Sequence, residues 1–244
     1  MSWDPTDLEV RAVVFDLFYT LVDPGGARPP GYGGIPAIAE ILGLELDFFE
    51  EWWTDRIEEF GVTPVSPVDE IVELARQRRI VLSPGDVADI DRALGHPQDE
   101  ALRSPVAGVL ATLSRLRRAQ LGIGVLSNAH ARDVRGWSES PLAVLVDAPC
   151  MSCFIGAAKP DPAAYEQVLD RLGVAASEAV FVGDGGHDEL GGARRIGFGG
   201  VVGVTGPAVR SSFRTRQEQQ SVVEAADAVV EDVTELVSLL GVPD

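Results

Sequence analysis

Six short, valine-rich runs constrain the fold of this chain more than any other feature of its sequence. Each run is shorter than a typical helix and lacks polar alternation, which is the pattern of a strand buried on both faces of a parallel sheet. The runs lie at 13–15, 121–126, 144–146, 180–182, 201–204 and 228–230. The sequence therefore predicts six buried strands.

Amphipathic helical patterns lie between these runs. Apolar residues recur at helical spacing over 106–116, and Asp161 and Pro162 supply the N-cap and first-turn proline of a later helix. Strands that alternate with helices form a parallel sheet with helices on both faces. The predicted fold class is therefore α/β, with a Rossmann-like parallel sheet core flanked by helices.

Residues 24–104 interrupt this alternation. After a linker rich in Gly and Pro, helical patterns occupy 35–42, 47–60, 67–79 and 83–94. Ser83 caps the last of them, with Pro84 in its first turn. We expect an inserted all-helical cap domain over 24–104, beside the strand ends where open α/β sheets bind ligands. The core domain would comprise 1–23 and 105–244.

The balance of charged residues limits the partners of the protein. The chain has 244 residues, and its 20 Lys and Arg against 38 Asp and Glu give a formal net charge of −18. This charge repels phosphate backbones and anionic lipids at long range. We therefore expect a small-molecule substrate, with neither nucleic acid nor membrane as partner, and the sequence leaves the oligomeric state open.

Several features predict a cytoplasmic location. The amino terminus lacks the basic start, apolar stretch and cleavage site of a secretory leader. No apolar run approaches the roughly 20 residues that span a bilayer. Cys150 and Cys153 are too few for a disulfide framework, and without a second pair we expect two buried structural thiols rather than a redox or metal centre. The polar stretch 211–220 is expected to be a surface loop.

Polar residues follow the predicted strands. Asp16 ends the first strand, Ser127 and Asn128 end the second, Lys159 precedes a Pro-led helix, and Asp184 ends the fourth strand. A carboxylate at such an edge can act as nucleophile or metal ligand, and the hydroxyl, amide and ammonium groups can stabilise an oxyanion. Each residue also has a structural alternative as a turn former, a helix cap or a solvated charge.

Two acids of the fourth segment suggest a metal site. If a helix begins near His187, the four-residue spacing brings Asp184 and Asp188 onto one crevice with Asp16. Clustered carboxylates are costly without a cation, and hard oxygen ligands suit Mg²⁺. An acidic helix start would explain Asp188 and Glu189 without a metal, but it would not explain Asp184.

Four segments of the chain, taken in sequence order, resemble the motifs of the haloacid dehalogenase-like hydrolase superfamily. FDLFYTLV, VLSN, KPDPAAY and VGDGGHDELGGA are similar to its first, second, third and fourth motifs. The similarity spans 13–204, and the helical insertion lies where the helical-cap subclass carries its cap. By the same resemblance Cys153 belongs to the scaffold before the lysine.

The resemblance implies catalytic roles. Asp16 would attack the substrate and form an aspartyl intermediate that water later hydrolyses. Ser127 and Lys159 would hold the phosphoryl oxygens, Lys159 would also stabilise the charge on Asp16, and Asn128 would shape the site.

The resemblance also implies a Mg²⁺ cofactor. One oxygen of Asp16, the main-chain carbonyl of Phe18 and the carboxylate of Asp184 would bind the ion. Asp188 would position water beside the ion or support Asp184 from behind.

Phe18 departs from the pattern of family phosphatases, which have Asp there as general acid and base; losing such a group typically costs about 10²- to 10⁴-fold. Family dehalogenases carry a non-acidic aromatic residue at this position and need no metal. They commonly lack the pair that this chain keeps as Gly183-Asp184, however, and typically have Gly where this chain has Tyr19.

The leading expectation is Mg²⁺-dependent hydrolysis of a small phosphorylated metabolite through Asp16. The alternatives are a metal-independent 2-haloacid dehalogenase, and a catalytically silent or very slow member that binds a ligand or partner. Tyr19, His187 and His130 are candidates for the missing acid. The cap aromatics are expected to pack in the cap core rather than line a pocket; they are Phe48, Phe49, Trp52, Trp53 and Phe60.

Overall fold

A six-stranded parallel sheet forms the centre of the protein. The structure, a computed structural model, describes residues 9–210 and 215–242. The strands are β1 (Ala12–Phe15), β2 (Gly122–Ser127), β3 (Ala148–Met151), β4 (Ala179–Gly183), β5 (Gly200–Val204) and β6 (Ala228–Val230). Their order is β3-β2-β1-β4-β5-β6, and every neighbouring pair is parallel. The predicted α/β class is confirmed.

Helices cover both faces of this sheet. They are α5 (Val109–Arg118), α6 (Ser152–Ile155), α7 (Pro162–Leu172), α8 (Glu189–Ile196), α9 (Gly206–Arg210), α10 (Arg216–Ala225) and α11 (Leu236–Leu239). Successive strand residues point to opposite faces. Val13 and Phe15 of β1 therefore share one hydrophobic cluster with Leu113 of α5, whereas Val14 joins a second cluster with Tyr165 of α7.

Residues 24–104 are helical and contain no strand. The helices are α1 (Gly34–Leu42), α2 (Leu46–Val62), α3 (Pro67–Gln77) and α4 (Pro84–Arg103). They bury a cluster of their own, in which Ile38, Phe49, Ile71 and Ile90 are inaccessible to solvent. This is the arrangement that an inserted cap requires, and the boundaries at 23/24 and 104/105 stay a prediction.

Helix α4 links this helical segment to the sheet. Its start agrees with the predicted cap, because the Asp86 N–H donates to the Ser83 hydroxyl at 3.1 Å and the Ser83 N–H donates to the Asp86 carboxylate at 2.8 Å. The helix continues past residue 94, where the pattern predicted its end, and runs through Pro97. Packing explains the extension, since Leu102 is buried in the cluster beneath α5.

The third predicted strand was misplaced. Residues 144–146 end a turn in which the Val146 N–H donates to the Leu142 carbonyl, and Val144 is 81% exposed. The strand is β3, which contains Pro149. Proline fits there because β3 lies at the edge of the sheet and has one neighbour only.

The surface-loop prediction for 211–220 is wrong for 216–220, which begin α10. Residues 211–214 lie outside the described residues. Residues 1–8, on which the expectation about a secretory leader rests, lie outside them too. Within the described ranges, no helix has both the length and the apolar character needed to cross a membrane.

Candidate active site

The sheet brings most of the predicted site residues to one edge. Asp16 directly follows β1, Ser127 ends β2 and Asp184 directly follows β4. Because β2, β1 and β4 are neighbours in the sheet, their carboxyl ends lie side by side. Lys159 reaches the same place from the loop between α6 and α7.

Lys159 is the electrostatic centre of the site. Its buried ammonium donates to Asp16 Oδ1 at 2.6 Å and to Glu189 Oε2 at 2.5 Å. The second oxygen of Asp16 accepts from the Thr20 hydroxyl at 3.1 Å. Burial alone would lower the pKa of Lys159, but the two carboxylates outweigh burial and raise that pKa above its ordinary value. Lys159 is therefore a permanent cation beside Asp16.

Three buried carboxylates cluster at this place, and two of them contact Lys159. Oxygens of Asp16, Asp184 and Glu189 lie within 4.8 Å of one another. Burial raises the pKa of Glu189 to about 8, and the charge on Asp16 adds to the effect. Lys159 supplies a single positive charge, so the cluster keeps an excess of negative charge whenever more than one of the three carboxylates is ionised. This donor set of hard oxygens fits a small divalent cation such as Mg²⁺.

Asp188 lies outside the carboxylate cluster. Its side chain is 62% exposed and pairs with Arg195 at 2.9 Å. The turn after β4 is longer than the four-residue spacing assumed, because His187 and Asp188 both adopt left-handed φ angles of 52° and 54° and α8 begins at Glu189. The carboxylate that reaches the cluster is thus the fifth residue after Asp184, not the fourth.

Glu189 was missed by the sequence reasoning, which treated it as an acid at a helix start. Its second oxygen accepts from the Gly185 N–H at 2.8 Å, so the turn itself holds the carboxylate inward. No side-chain pattern marks this position, because the start of α8 at Glu189 depends on the left-handed backbone at His187 and Asp188.

Asn128 and Ser127 lie beside the lysine loop. The Asn128 side-chain amide donates to the Lys159 carbonyl and accepts from the Lys159 N–H, both at 2.8 Å, which fixes the loop that carries the ammonium. The Ser127 hydroxyl is fully enclosed and has no hydrogen-bond partner among the described residues. Ser127 does not line the cavity of about 300 Å³ above Asp16.

The turn after Asp16 is tightly held. The Tyr19 N–H donates to the Val22 carbonyl at 2.6 Å, and Phe18 forms an isolated bridge with Val22. Tyr19 has a φ of 61°, a left-handed conformation that costs a side chain of this kind about 1 kcal/mol or more. Strain of this kind is characteristic of functional sites.

A cavity of about 300 Å³ opens above the carboxylates, and we call it the nucleophile cavity. Tyr19 and His187 line it, as two of the candidates for the missing acid. His130 does not; it lines an adjoining cavity, and its Nδ1 lies 3.3 Å from the carboxylate of Asp133. Asp133, which the sequence did not single out, lines both cavities, and burial raises its pKa.

The two cysteines are structural. Cys150 lies in β3 and Cys153 in α6, and both are free and buried. Burial raises the pKa of both thiols, that of Cys153 to about 11. Thiols with raised pKa values are poor nucleophiles and poor metal ligands, as expected for scaffold residues.

Known proteins are similar to this chain in sequence and in fold. The family described as haloacid dehalogenase-like hydrolase matches residues 10–197. Phosphatase MT3486 of Mycobacterium tuberculosis (strain CDC 1551 / Oshkosh) is 34% identical over 72% of this chain and 80% of its own. (S)-2-haloacid dehalogenase 4A of Burkholderia cepacia is 28% identical over 79% of this chain and 82% of its own.

A solved structure supports the fold. The 2-haloacid dehalogenase of Pseudomonas syringae pv. Tomato DC3000 superposes with a TM-score of 0.66, over 95% of this chain and 98% of that one, at 23% identity. At 23% identity, this structural similarity supports the fold alone. The sequence relatives include both a phosphatase and a dehalogenase. With the family match over most of its length, the chain belongs to the haloacid dehalogenase-like hydrolases, as its four motifs predicted.

Proposed function

We propose that this hydrolase removes the phosphoryl group from a small phosphorylated metabolite in a Mg²⁺-dependent reaction through Asp16. The observation that carries the proposal is the cluster of Asp16, Asp184 and Glu189, whose oxygens lie within 4.8 Å of one another in a buried site. A dehalogenase mechanism needs one carboxylate nucleophile. Lys159 can offset one negative charge, so two further buried carboxylates would destabilise such a site unless a second cation were bound.

Asp16 is the proposed nucleophile. One carboxylate oxygen attacks phosphorus, the bond from phosphorus to the leaving oxygen breaks, and an aspartyl phosphate forms. Water then attacks this phosphorus, which releases phosphate and restores the carboxylate. Lys159, at 2.6 Å from Asp16, holds the carboxylate in place and offsets charge on the transferring oxygens. By the family resemblance Ser127 would hold one of these oxygens, although its hydroxyl is fully enclosed and does not line the nucleophile cavity.

Asp16, Asp184 and Glu189 would hold Mg²⁺ together with the main-chain carbonyl of Phe18. When bound, the ion supplies positive charge that neutralises the carboxylates and polarises the phosphoryl oxygens. Asp188 is left out of this set because its carboxylate pairs with Arg195 at the surface.

Phe18 sets the kind of ester that reacts. Its side chain lines the nucleophile cavity but cannot protonate the leaving oxygen. Leaving groups that depart as stable anions need the least help from a proton donor. We therefore expect activated esters, such as aryl phosphates, to react faster than alkyl phosphates.

The test is phosphate release from a panel of phosphate esters that includes aryl phosphates, with Mg²⁺ and with excess chelator. We expect turnover with Mg²⁺ only, and none from the Asp16→Asn variant. Beryllofluoride, a mimic of the aspartyl phosphate, should bind the wild-type protein with Mg²⁺. No turnover together with no beryllofluoride binding would refute the proposal and favour a catalytically silent protein.

A second candidate, metal-independent cleavage of 2-haloacids, is favoured by Phe18, since halide leaves without a proton, and by the similarity to a 2-haloacid dehalogenase. Chloride release from 2-chloropropionate in excess chelator would establish it. Absence of chloride release beside Mg²⁺-dependent phosphate release would exclude it.

A further inference from the structure

The nucleophile cavity contains one carboxyl group outside the carboxylate cluster. Asp16, Asp184 and Glu189 line this cavity and form the cluster. Asp133 lines the cavity too, from the loop that follows β2. The cavity encloses about 300 Å³, which is small for a ligand cavity. A leaving group on phosphorus above Asp16 would therefore share this space with the Asp133 side chain.

The two oxygens of Asp133 have different surroundings. Oδ2 accepts from the main-chain N–H of His130 at 3.1 Å and lies 3.3 Å from His130 Nδ1. Oδ1 has no hydrogen-bond partner among the residues that the structure describes. One oxygen thus fixes the side chain, and the other is available to carry a proton to a ligand or to accept one from it.

His130 joins the loop that carries Asp133 to the helical segment. Its ring packs edge-on against Trp53 and Phe60 of α2. His130 and Trp53 also line the adjoining cavity, which encloses about 510 Å³. The expectation that the cap aromatics pack in the core rather than line a pocket is therefore wrong for Trp53. Aromatic packing from the helical segment holds the loop in place.

The environment of Asp133 favours its protonated form. Burial raises the pKa of this carboxyl above its ordinary value, although the nearby His130 and Arg132 act in the opposite direction. A side chain that both gives and takes a proton works best when its pKa lies near the working pH. The shift therefore moves Asp133 towards the range that such catalysis needs.

Other candidate donors in the nucleophile cavity are less suited to give up a proton and then take one back. The Tyr32 hydroxyl already donates to the Ala93 carbonyl. Tyrosine phenols, with an ordinary pKa of about 10, are rarely ionised at neutral pH, which limits Tyr19 as a base. His187 is exposed, and no side-chain hydrogen bond to the described residues orients its ring. Asp133 is held by His130 and is shielded from solvent.

We infer that Asp133 is the general acid and base of the proposed reaction, in place of the residue that Phe18 replaces. As the bond from phosphorus to the leaving oxygen breaks, its electron pair stays on that oxygen, which takes the proton of Asp133. The water that attacks the aspartyl phosphate then gives one proton to the Asp133 carboxylate, and the bond from phosphorus to Asp16 breaks. The inference rests on the proposed function and adds its proton donor. Aryl esters stay the faster substrates because they need the proton least.

Two esters of similar size test this role. Benzyl phosphate loses an alkoxide, which needs a proton, whereas 4-nitrophenyl phosphate loses a stable anion. Asp133→Asn keeps the size of the side chain and an oxygen for the His130 N–H, but removes the acid. Since kcat/KM covers the steps up to release of the leaving group, we expect it to fall about 100-fold or more for benzyl phosphate. For 4-nitrophenyl phosphate it should fall less than about fivefold.

Asp99→Asn is the matched control. Asp99 is 16% exposed, as Asp133 is 15% exposed, but it lines neither cavity. The ratio of the two kcat/KM values should stay within about twofold of wild type in Asp99→Asn, and also in Tyr19→Phe and His187→Gln. If Asp133→Asn does not fold, Asp133→Glu serves instead, because it moves the acid by one methylene. We expect benzyl phosphate to lose at least about tenfold more than 4-nitrophenyl phosphate in that variant.

The outcomes separate this inference from the proposed function. Equal losses for the two esters in the Asp133 variant would overturn the inference and leave the proposed function intact. A selective loss in Tyr19→Phe or His187→Gln instead would do the same, as would a wild type that hydrolyses 4-nitrophenyl phosphate but not benzyl phosphate. If the wild type hydrolyses neither ester and does not bind beryllofluoride with Mg²⁺, the proposed function fails, and the inference fails with it.

Discussion

Glu189 has a larger role in the site than its position at a helix start predicted. It accepts from Lys159 and from the Gly185 N–H, and it is buried against two other carboxylates. Asp188, one residue earlier, pairs with Arg195 in solvent. The two acids are neighbours in the sequence, but the side chain of Glu189 is buried and that of Asp188 is exposed. They should therefore differ in function.

Glu189→Gln and Asp188→Asn form a matched pair that separates these acids. We expect Glu189→Gln to weaken Mg²⁺ binding by about tenfold or more, because it removes a charged oxygen from the cluster. Asp188→Asn should change Mg²⁺ binding by less than about twofold, because it removes an exposed ion pair only. Calorimetric titration with Mg²⁺ measures both. The assignment is wrong if Asp188→Asn has the larger effect.

At the scale of elements, the sequence predicts what depends on local pattern. Five of six strands and the starts of α4 and α7 follow from apolar runs, Ser83 and Asp161. Tertiary context decides the rest. The run at 144–146 is apolar yet forms a turn, because β3 forms the hydrogen bonds to β2. Helix α4 extends beyond its predicted end because Leu102 is buried against the sheet domain.

The site shows the same division. Asp16, Lys159 and Asp184 follow from their positions after strands and before a helix. The inward turn of Glu189 depends on the left-handed backbone at His187 and Asp188, which no side-chain pattern encodes. Asp133 lines the cavity because the helical segment lies above it, and that contact joins residues distant in sequence.

Arg132 fastens α4 to the loop after β2. Its guanidinium pairs with Asp91 at 2.7 Å and Asp99 at 2.8 Å, both on α4, and its side chain is 3% exposed. The guanidinium packs directly over Gly95, where a Cβ would collide with it. Arg135 also pairs with Asp91, at 2.8 Å, but is exposed. One buried arginine and one exposed arginine therefore join the same two elements.

Replacing each arginine by methionine should separate a buried pair from a surface pair. Arg132→Met removes the buried ion pair with Asp99 and leaves Asp91 paired with Arg135 only, and we expect it to lower the free energy of unfolding by about 3 kcal/mol. Arg135→Met should cost about 1 kcal/mol or less. Urea unfolding followed by fluorescence measures both. Similar losses for the two variants would show that Arg132 does not hold α4 in the way described.

For the whole molecule, the dominant electrostatic fact is a net charge of −18. Against that background, a buried cluster with three carboxylates and one ammonium adds local repulsion that folding must overcome. A cation that binds the folded chain alone relieves this repulsion and stabilises the fold by mass action. The stability of the protein should therefore depend on Mg²⁺ if the proposed function is correct, and should be indifferent to it if the protein is a metal-independent dehalogenase.

Thermal unfolding with and without Mg²⁺ tests this dependence. At about 100 times its Kd, a ligand stabilises the folded state by about 2.7 kcal/mol, and for a chain of this size each kcal/mol shifts Tm by about 2–4 °C. We expect Mg²⁺ to raise the Tm of the wild type by about 5–10 °C at constant ionic strength. Asp184→Asn should lose most of this shift and Asp188→Asn should keep it. If both variants shift like the wild type, the effect is general screening of the −18 charge rather than binding at the cluster, because screening does not depend on which acid is replaced.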